Sequence, residues 1–193
     1  AAFIWGTAFV AQRVGMQYLG PFAFNSIRYG LAALALFPFV RKQNGPKVPV
    51  GGLWAGLVMF AGATLQQAGI VYTTAGKAGF ITALYVILVP LIGFFVHQKA
   101  GWNAWAGAFL AVTGLYCLSV TDSHTIAYGD LLVLIGAIFW AVHILIIGRF
   151  SPKTEPFRLA CTQFGIVAVL SLIAALPTES ITSTAIQGAA LPI

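Results

Sequence analysis

The chain has 193 residues, 60% of them hydrophobic and only 7% charged, and ten basic against four acidic side chains give a net charge of +6. Soluble domains average about 25% charged residues, so this composition cannot solvate the surface of a water-soluble fold. The basic residues are scattered over short connections, which fits charge that sets membrane orientation and excludes a nucleic-acid surface.

Four runs carry no charge at all, at 53–72, 78–96, 100–121 and 159–178. At about 1.5 Å per residue, each would cross a hydrocarbon core of roughly 30 Å as a helix. The runs are continuously apolar and do not alternate, which excludes a transmembrane β-barrel. Helices satisfy all their backbone groups within one segment, so an all-α polytopic membrane bundle is the expected fold.

The expected spans are 1–18, 21–40, 52–73, 78–97, 102–120, 129–148 and 157–176, with an eighth beginning near Ile186. Short connections separate them: Gly20-Pro21, Asn44-Gly45-Pro46, Gly76, Gly101, Asp122-Ser123-His124, Ser151-Pro152 and Pro177. The chain opens Ala-Ala-Phe-Ile-Trp-Gly without a basic flank, so no signal peptide is read there, and the first helix is expected to lack its leading residues. In span 3, Gly52-x3-Gly56 and the pair Gly62 and Gly69 form small faces for close helix approach. Pro90 is expected to weaken or bend span 4.

Arg41, Lys42, Lys47, Lys99, Arg149, Lys153 and Arg158 lie at or near the even connections. The odd connections hold only Arg13 and Lys77, with Asp122 and Asp130 assigned between spans 5 and 6. The even connections and the N-terminus are therefore expected to be cytoplasmic, in a bacterial plasma membrane. With Asp130, at the very start of span 6, counted with the connection before it, no carboxylate is expected deeper in a span, and a buried acidic proton carrier is not expected here.

A shift of 135 positions superposes Ala2 on Ala137, Trp5 on Trp140, Pro21-Phe22 on Pro156-Phe157, Gly30 on Gly165 and Ala33 on Ala168. Such a duplication would place span 1 on span 6. Five crossings then separate the copies, so the second copy is inverted, as in carriers that alternate between two open states. The first unit is 1–120 (spans 1–5). The second, 129–193, is partial, and about three further spans would complete ten.

Several stretches resemble the EamA transporters of the drug/metabolite transporter superfamily. They are Phe3-Ile4-Trp5-Gly6-Thr7-Ala8-Phe9-Val10, Gly20-Pro21 with Arg28-Tyr29-Gly30-Leu31-Ala32-Ala33, the passage 72–91, the helix from Gly107 to Gly114-Leu115-Tyr116, and Gly129-Asp130-Leu131. The 72–91 run is the most specific. The resemblance implies ten helices in two inverted halves and the movement of small metabolites. Many members carry Gly-Glu-Arg or Gly-Glu-Lys after the fourth helix, where this chain reads His97-Gln98-Lys99, so no role of that glutamate transfers.

Candidate substrate-binding residues are Trp5, Asn25, Arg28, Gln66, Gln67, Tyr85, Trp140 and His143, and each has two readings. Arg28 is well inside span 2, where it either binds helix-end carbonyls or partners an anionic solute group. Trp5 and Trp140 are interfacial anchors and packing residues, or walls for stacking a solute. Gln66 and Gln67 make interhelical hydrogen bonds or contact ligand, and Gln12, Tyr72 and Gln163 belong to the same mixed group. His143 is a packed polar residue or a titrating one. Lys77 attracts anions at the outer mouth or simply sits at the interface.

Cys117 and Cys161 read as small buried hydrophobes, and three scattered histidines give no metal site. No cofactor is expected, and no phosphate-binding loop of the G-x-x-x-x-G-K-[ST] type occurs. The leading expectation is a secondary transporter of small organic metabolites, in contact with the lipid bilayer and open to homodimer formation. A membrane-embedded enzyme and a channel or scaffold are the alternatives. The enzyme lacks a nucleophile elbow, a His-rich box or an acidic pair.

Overall fold

The computed structural model describes residues 2–41, 49–96, 101–119 and 127–180; within its helices, the side chains at 2, 4, 5, 104, 112 and 114–119 are outside the description. The expected eighth span near Ile186, the His97-Gln98-Lys99 departure, Asp122, Lys42, Lys47 and Lys99 fall outside the described residues. So do the side chains of Trp5 and Cys117.

The described residues fold into helices α1 (Ala2–Gly15), α2 (Pro21–Arg41), α3 (Val50–Val71), α4 (Ala75–Ala83), α5 (Tyr85–Phe95), α6 (Trp102–Ser119), α7 (Tyr128–Phe150) and α8 (Pro156–Thr178), with a short 3-10 turn at Ser151–Lys153. Five units have the length and apolarity to cross a membrane: α2, α3, α4 with α5, α7 with its 3-10 turn, and α8. α1 and α6 occupy the places of the first and fifth expected spans. The protein is a polytopic helical membrane protein.

Size, more than polarity, separates inside from outside. Ala55, Ala63, Ala137, Ala141 and Ala175 are fully buried, whereas Leu34, Phe94, Phe95, Phe109 and Leu176 point outward. Lipid tails are as apolar as these side chains, so helices gain by close backbone approach, and small residues gather where helices meet. α3 is the hub, packed chiefly on α7 and α8. Its Gly52 and Gly56 face Thr162 and Ile166 of α8, while Gly62 and Gly69 face Phe139 and Val133 of α7. The two small faces read in span 3 thus serve two different neighbours.

Helix directions follow from end contacts. Arg13 near the end of α1 donates to the Ile70 carbonyl near the end of α3 (2.6 Å). Gly69 of α3 lies against Gly129 at the start of α7, and the α2 N–H groups of Phe22 and Ala23 meet Glu179, just past α8. α1, α3 and α8 therefore run toward one end of the bundle, and α2, α4 and α7 run away from it. The tryptophan-bearing α1 and α7 point in opposite directions.

Two expectations are corrected. Span 4 is interrupted at Leu84, between α4 and α5, rather than at Pro90, which is buried within α5. The ring of Pro90 crowds the carbonyl four residues earlier, that of Val86, which already lies within α5 beyond the break. The N–H of Leu84 bonds Ile81, and that of Ile87 bonds Leu84, both with the shorter three-residue spacing. Asp130 is not in a connection: it is the third residue of α7 and buried. There it accepts from the Thr73 hydroxyl and, through its other oxygen, from the Ala127 N–H (2.9 Å). A carboxylate in the first turn also suits the positive end of the helix dipole.

Candidate functional site

A continuous chain of polar side chains links four helices through the interior. Gln12 of α1 anchors one end by donating from Nε2 to the Ala8 carbonyl (3.1 Å). Gln66 of α3 donates to Gln12 Oε1 (3.1 Å) and accepts from Trp140 Nε1 of α7 (2.9 Å). The Trp140 ring meets His143 edge to face, with centroids 5.6 Å apart. His143 Nε2 pairs with Gln163 Oε1 of α8 at 2.7 Å. Gln67, fully buried, reaches back from α3 to the Gln12 carbonyl at 3.5 Å.

Local sequence dictates this arrangement. The glycines at 62 and 136 bring the α3 and α7 backbones together, with a Cβ at Gly136 falling 3.2 Å from the Gly62 carbonyl oxygen. Trp140 follows Gly136 by four residues and therefore shares its helix face. Buried amides without partners would cost several kcal/mol (about 2–7); neighbouring helices supply partners for Gln66 and Gln163, whereas Gln67 Oε1 has none.

A second cluster lies on α2. Arg28 Nη2 donates to Asn25 Oδ1 (3.1 Å) and to the Tyr29 hydroxyl (2.8 Å), and its guanidinium sits 4.5 Å from the Tyr29 ring centroid. Tyr29 packs with Met59, Ala63 and Val167, and Trp140 and Phe164 flank the same group. The two clusters therefore share an apolar wall.

Of the sequence candidates, Gln66, Gln67, Trp140 and His143 join the interhelical chain, and Asn25 and Arg28 form the second cluster. Trp140 is in mid-helix with a bonded indole N–H, which is not the setting of an interfacial anchor. Tyr85 opens α5 at the helix break, half-buried, and does not join the chain. Trp5 is in α1, with its side chain outside the described residues. The carbonyl-binding role considered for Arg28 belongs instead to Arg13, at Ile70, and to Arg158, at Val40 (3.4 Å). Cys161 is half-buried with Sγ 3.5 Å from the Ala33 carbonyl.

Sequence reasoning missed Tyr29, Ser171 and Glu179. Tyr29 adjoins Arg28, and neighbouring helix positions do not ordinarily face one another; only the length of the arginine lets it fold back. Ser171 is fully buried with no partner for its hydroxyl, and a lone serine in an apolar run gives no sign of that. Glu179 follows Pro177, which marked it as connection.

Comparison with known proteins agrees with this architecture. Residues 1–120 match the EamA-like transporter family. A protein named only as a transporter from Archaeoglobus fulgidus is 35% identical over 171 residues, covering 88% of this chain and 54% of its own length. A probable terminal-alkyne amino-acid exporter from Streptantibioticus cattleyicolor is 29% identical, covering 62% of this chain and 42% of its own. A probable amino-acid metabolite efflux pump from Escherichia coli is 26% identical, covering 72% and 48%. The chain thus spans about half the length of the curated relatives it matches, and no solved structure matches it. From the family match, from relatives named as transporters, and from a bundle of apolar helices, it follows that this chain belongs to the EamA-like transporter family.

Proposed function

We propose that this protein is a secondary transporter that moves small organic metabolites across a bacterial plasma membrane by alternating access. The observation that carries the reading is the buried chain Gln12–Gln66–Trp140–His143–Gln163, which places hydrogen-bonding groups and an aromatic face inside an apolar bundle. Such groups are expensive within a membrane, and they mark solute pathways where they persist.

Two inverted units, 1–120 and 129–193, provide the mechanics. α2 and α8 both open with Pro-Phe, pack against one another and run antiparallel, with Gly30 beside Ala168. Rocking one unit against the other would expose the polar interior to each side in turn. Arg41, Arg149, Lys153 and Arg158 lie at one end of the bundle with Glu155, and of the described basic residues only Arg13 and Lys77 lie at the other, with Asp130 and Glu179. The first end is therefore cytoplasmic, and so is the start of α1. Two relatives named for amino-acid metabolites make such compounds the first to try.

Counterflow in vesicles tests the reading, using the full-length protein and labelled amino acids, sugars and nucleosides. Labelled solute should accumulate transiently against an unlabelled internal pool. Chemical conversion of solute, or no exchange with any of the panel, would overturn the proposal.

A further inference from the structure

We propose that Arg28, Asn25 and Ser171 form a subsite for the carboxylate of the solute; this rests on the transport reading above. Arg28 is seven residues into α2, about 10 Å from the helix start. Its Nη2 donates to two neutral acceptors, Asn25 Oδ1 and the Tyr29 hydroxyl, and its Nε is buried with no partner. No carboxylate balances the charge among the described residues. Asp130 is held by Thr73 and the Ala127 N–H, Glu179 by the N–H groups of Phe22 and Ala23, and Glu155 precedes α8 at the opposite end.

The neighbouring orphans are donors as well. Asn25 is fully buried, and because its Oδ1 accepts from Arg28, its Nδ2 is the atom left without a partner. Asn25 precedes Arg28 by three residues and so shares its helix face. Across the seam, Gly30 lies beside Ala168, and Ala23 clusters with Ala175. This antiparallel register puts the buried, unpartnered Ser171 hydroxyl level with Asn25 and Arg28.

Three unmatched donors, one of them cationic, call for a group that only accepts. A neutral hydroxyl or amide brings donors of its own and leaves the charge uncompensated. A carboxylate offers two oxygens with about four lone-pair sites and a full negative charge, and arginine recognises it with a planar fork. The Tyr29 ring beneath the guanidinium holds the fork in place.

The test compares acids with their carboxamides, which keep the shape and lose the charge. Full-length protein in neutral detergent is titrated with L-alanine, L-threonine, L-leucine or L-phenylalanine and with each matching amide, and binding is read from the shift in melting temperature. At least one acid should bind ten times more tightly than its amide. Arg28→Gln should abolish that preference, Arg28→Lys should keep part of it, and Ser171→Ala should weaken acid binding several-fold. Equal binding of acid and amide, or a preference that survives Arg28→Gln, would overturn the subsite. So would an Arg28-dependent shift seen only with added phosphatidylglycerol, which would make the anion a lipid headgroup. Because this readout is binding, its failure is distinct from absence of counterflow, which would instead remove the transport reading.

Discussion

At the residue scale, Gln66 is the side chain on which the interior network turns, because its amide uses both ends: Nε2 toward Gln12 and Oε1 toward Trp140. Removing it leaves a buried indole N–H and a buried carbonyl group with nothing to replace them. Gln66→Ala should destabilise the protein by about 1–3 kcal/mol. Trp140→Phe keeps an apolar ring and loses only the donor, so it should cost less. The pair should be coupled, since each deletes the same bond. A double-mutant cycle on reversible unfolding in mixed micelles is expected to give about 0.6 kcal/mol of interaction, the average for interhelical bonds in membranes, and at most about 1.7 kcal/mol. Strict additivity would mean that the Gln66–Trp140 bond contributes nothing. The same residues show why polar residues in an apolar sequence were easier to find than to assign. Gln66, Trp140 and His143 stand out because their neighbours are apolar, yet which partner each meets depends on helix register, which a single sequence does not encode.

At the scale of elements, close approach of backbones decides stability. At the α3–α7 crossing a Cβ at Gly129 would collide with the Gly69 carbonyl oxygen and the Tyr72 backbone, neither of which can rotate away. Gly129→Ala should therefore lower stability by about 1–3 kcal/mol through overpacking. Gly148→Ala, where a Cβ would meet nothing within 4 Å, should be neutral or stabilising by up to about 1 kcal/mol. Chemical denaturation of both variants in the same micelles checks the contrast, and equal effects would discount the crossing. The α2–α8 contact has a polar device at the end where α2 begins: the Glu179 carboxylate accepts from the N–H groups of Phe22 (2.9 Å) and Ala23 (2.8 Å). It supplies to α2 what an N-cap side chain normally supplies from within the same helix. Glu179→Ala should cost about 0.5–2 kcal/mol, read as a fall in the denaturation midpoint, with Glu179→Gln losing less because one acceptor remains. Length and apolarity made the helices themselves legible to within a few residues. The break at Leu84 was not, because no glycine or proline stands at that position and the nearby Pro90 drew the expectation six residues further along. Glu179 was equally hidden: a carboxylate in a connection reads as solvated, and only the meeting of helix ends 157 positions apart in sequence gives it a task.

For the whole molecule, the Glu179 clasp and the Arg158 contact with the Val40 carbonyl tie α2 to α8 at opposite ends of the bundle. If alternating access rocks one unit against the other, the Glu179 tie must open once in each cycle. Gly20 gives a way to prevent that, because a Cβ at this position would coincide with the Glu179 carboxyl group, two bonds from Glu179 Cβ. The two Cβ atoms are then within reach of a disulfide, for which about 3.5–4.5 Å is required. A Gly20→Cys/Glu179→Cys protein with Cys117 and Cys161 replaced by alanine should cross-link on mild oxidation with copper phenanthroline. Counterflow should fall by at least tenfold and return on reduction with dithiothreitol, while each single-cysteine protein keeps its activity under oxidation. Inhibition that reverses with the bond isolates motion from damage, since the variants are chemically identical in the two states. Full counterflow in the cross-linked protein would mean that the start of α2 and the end of α8 stay together throughout the cycle, and the moving boundary would then lie elsewhere, with the Leu84 break between α4 and α5 as the next hinge to lock.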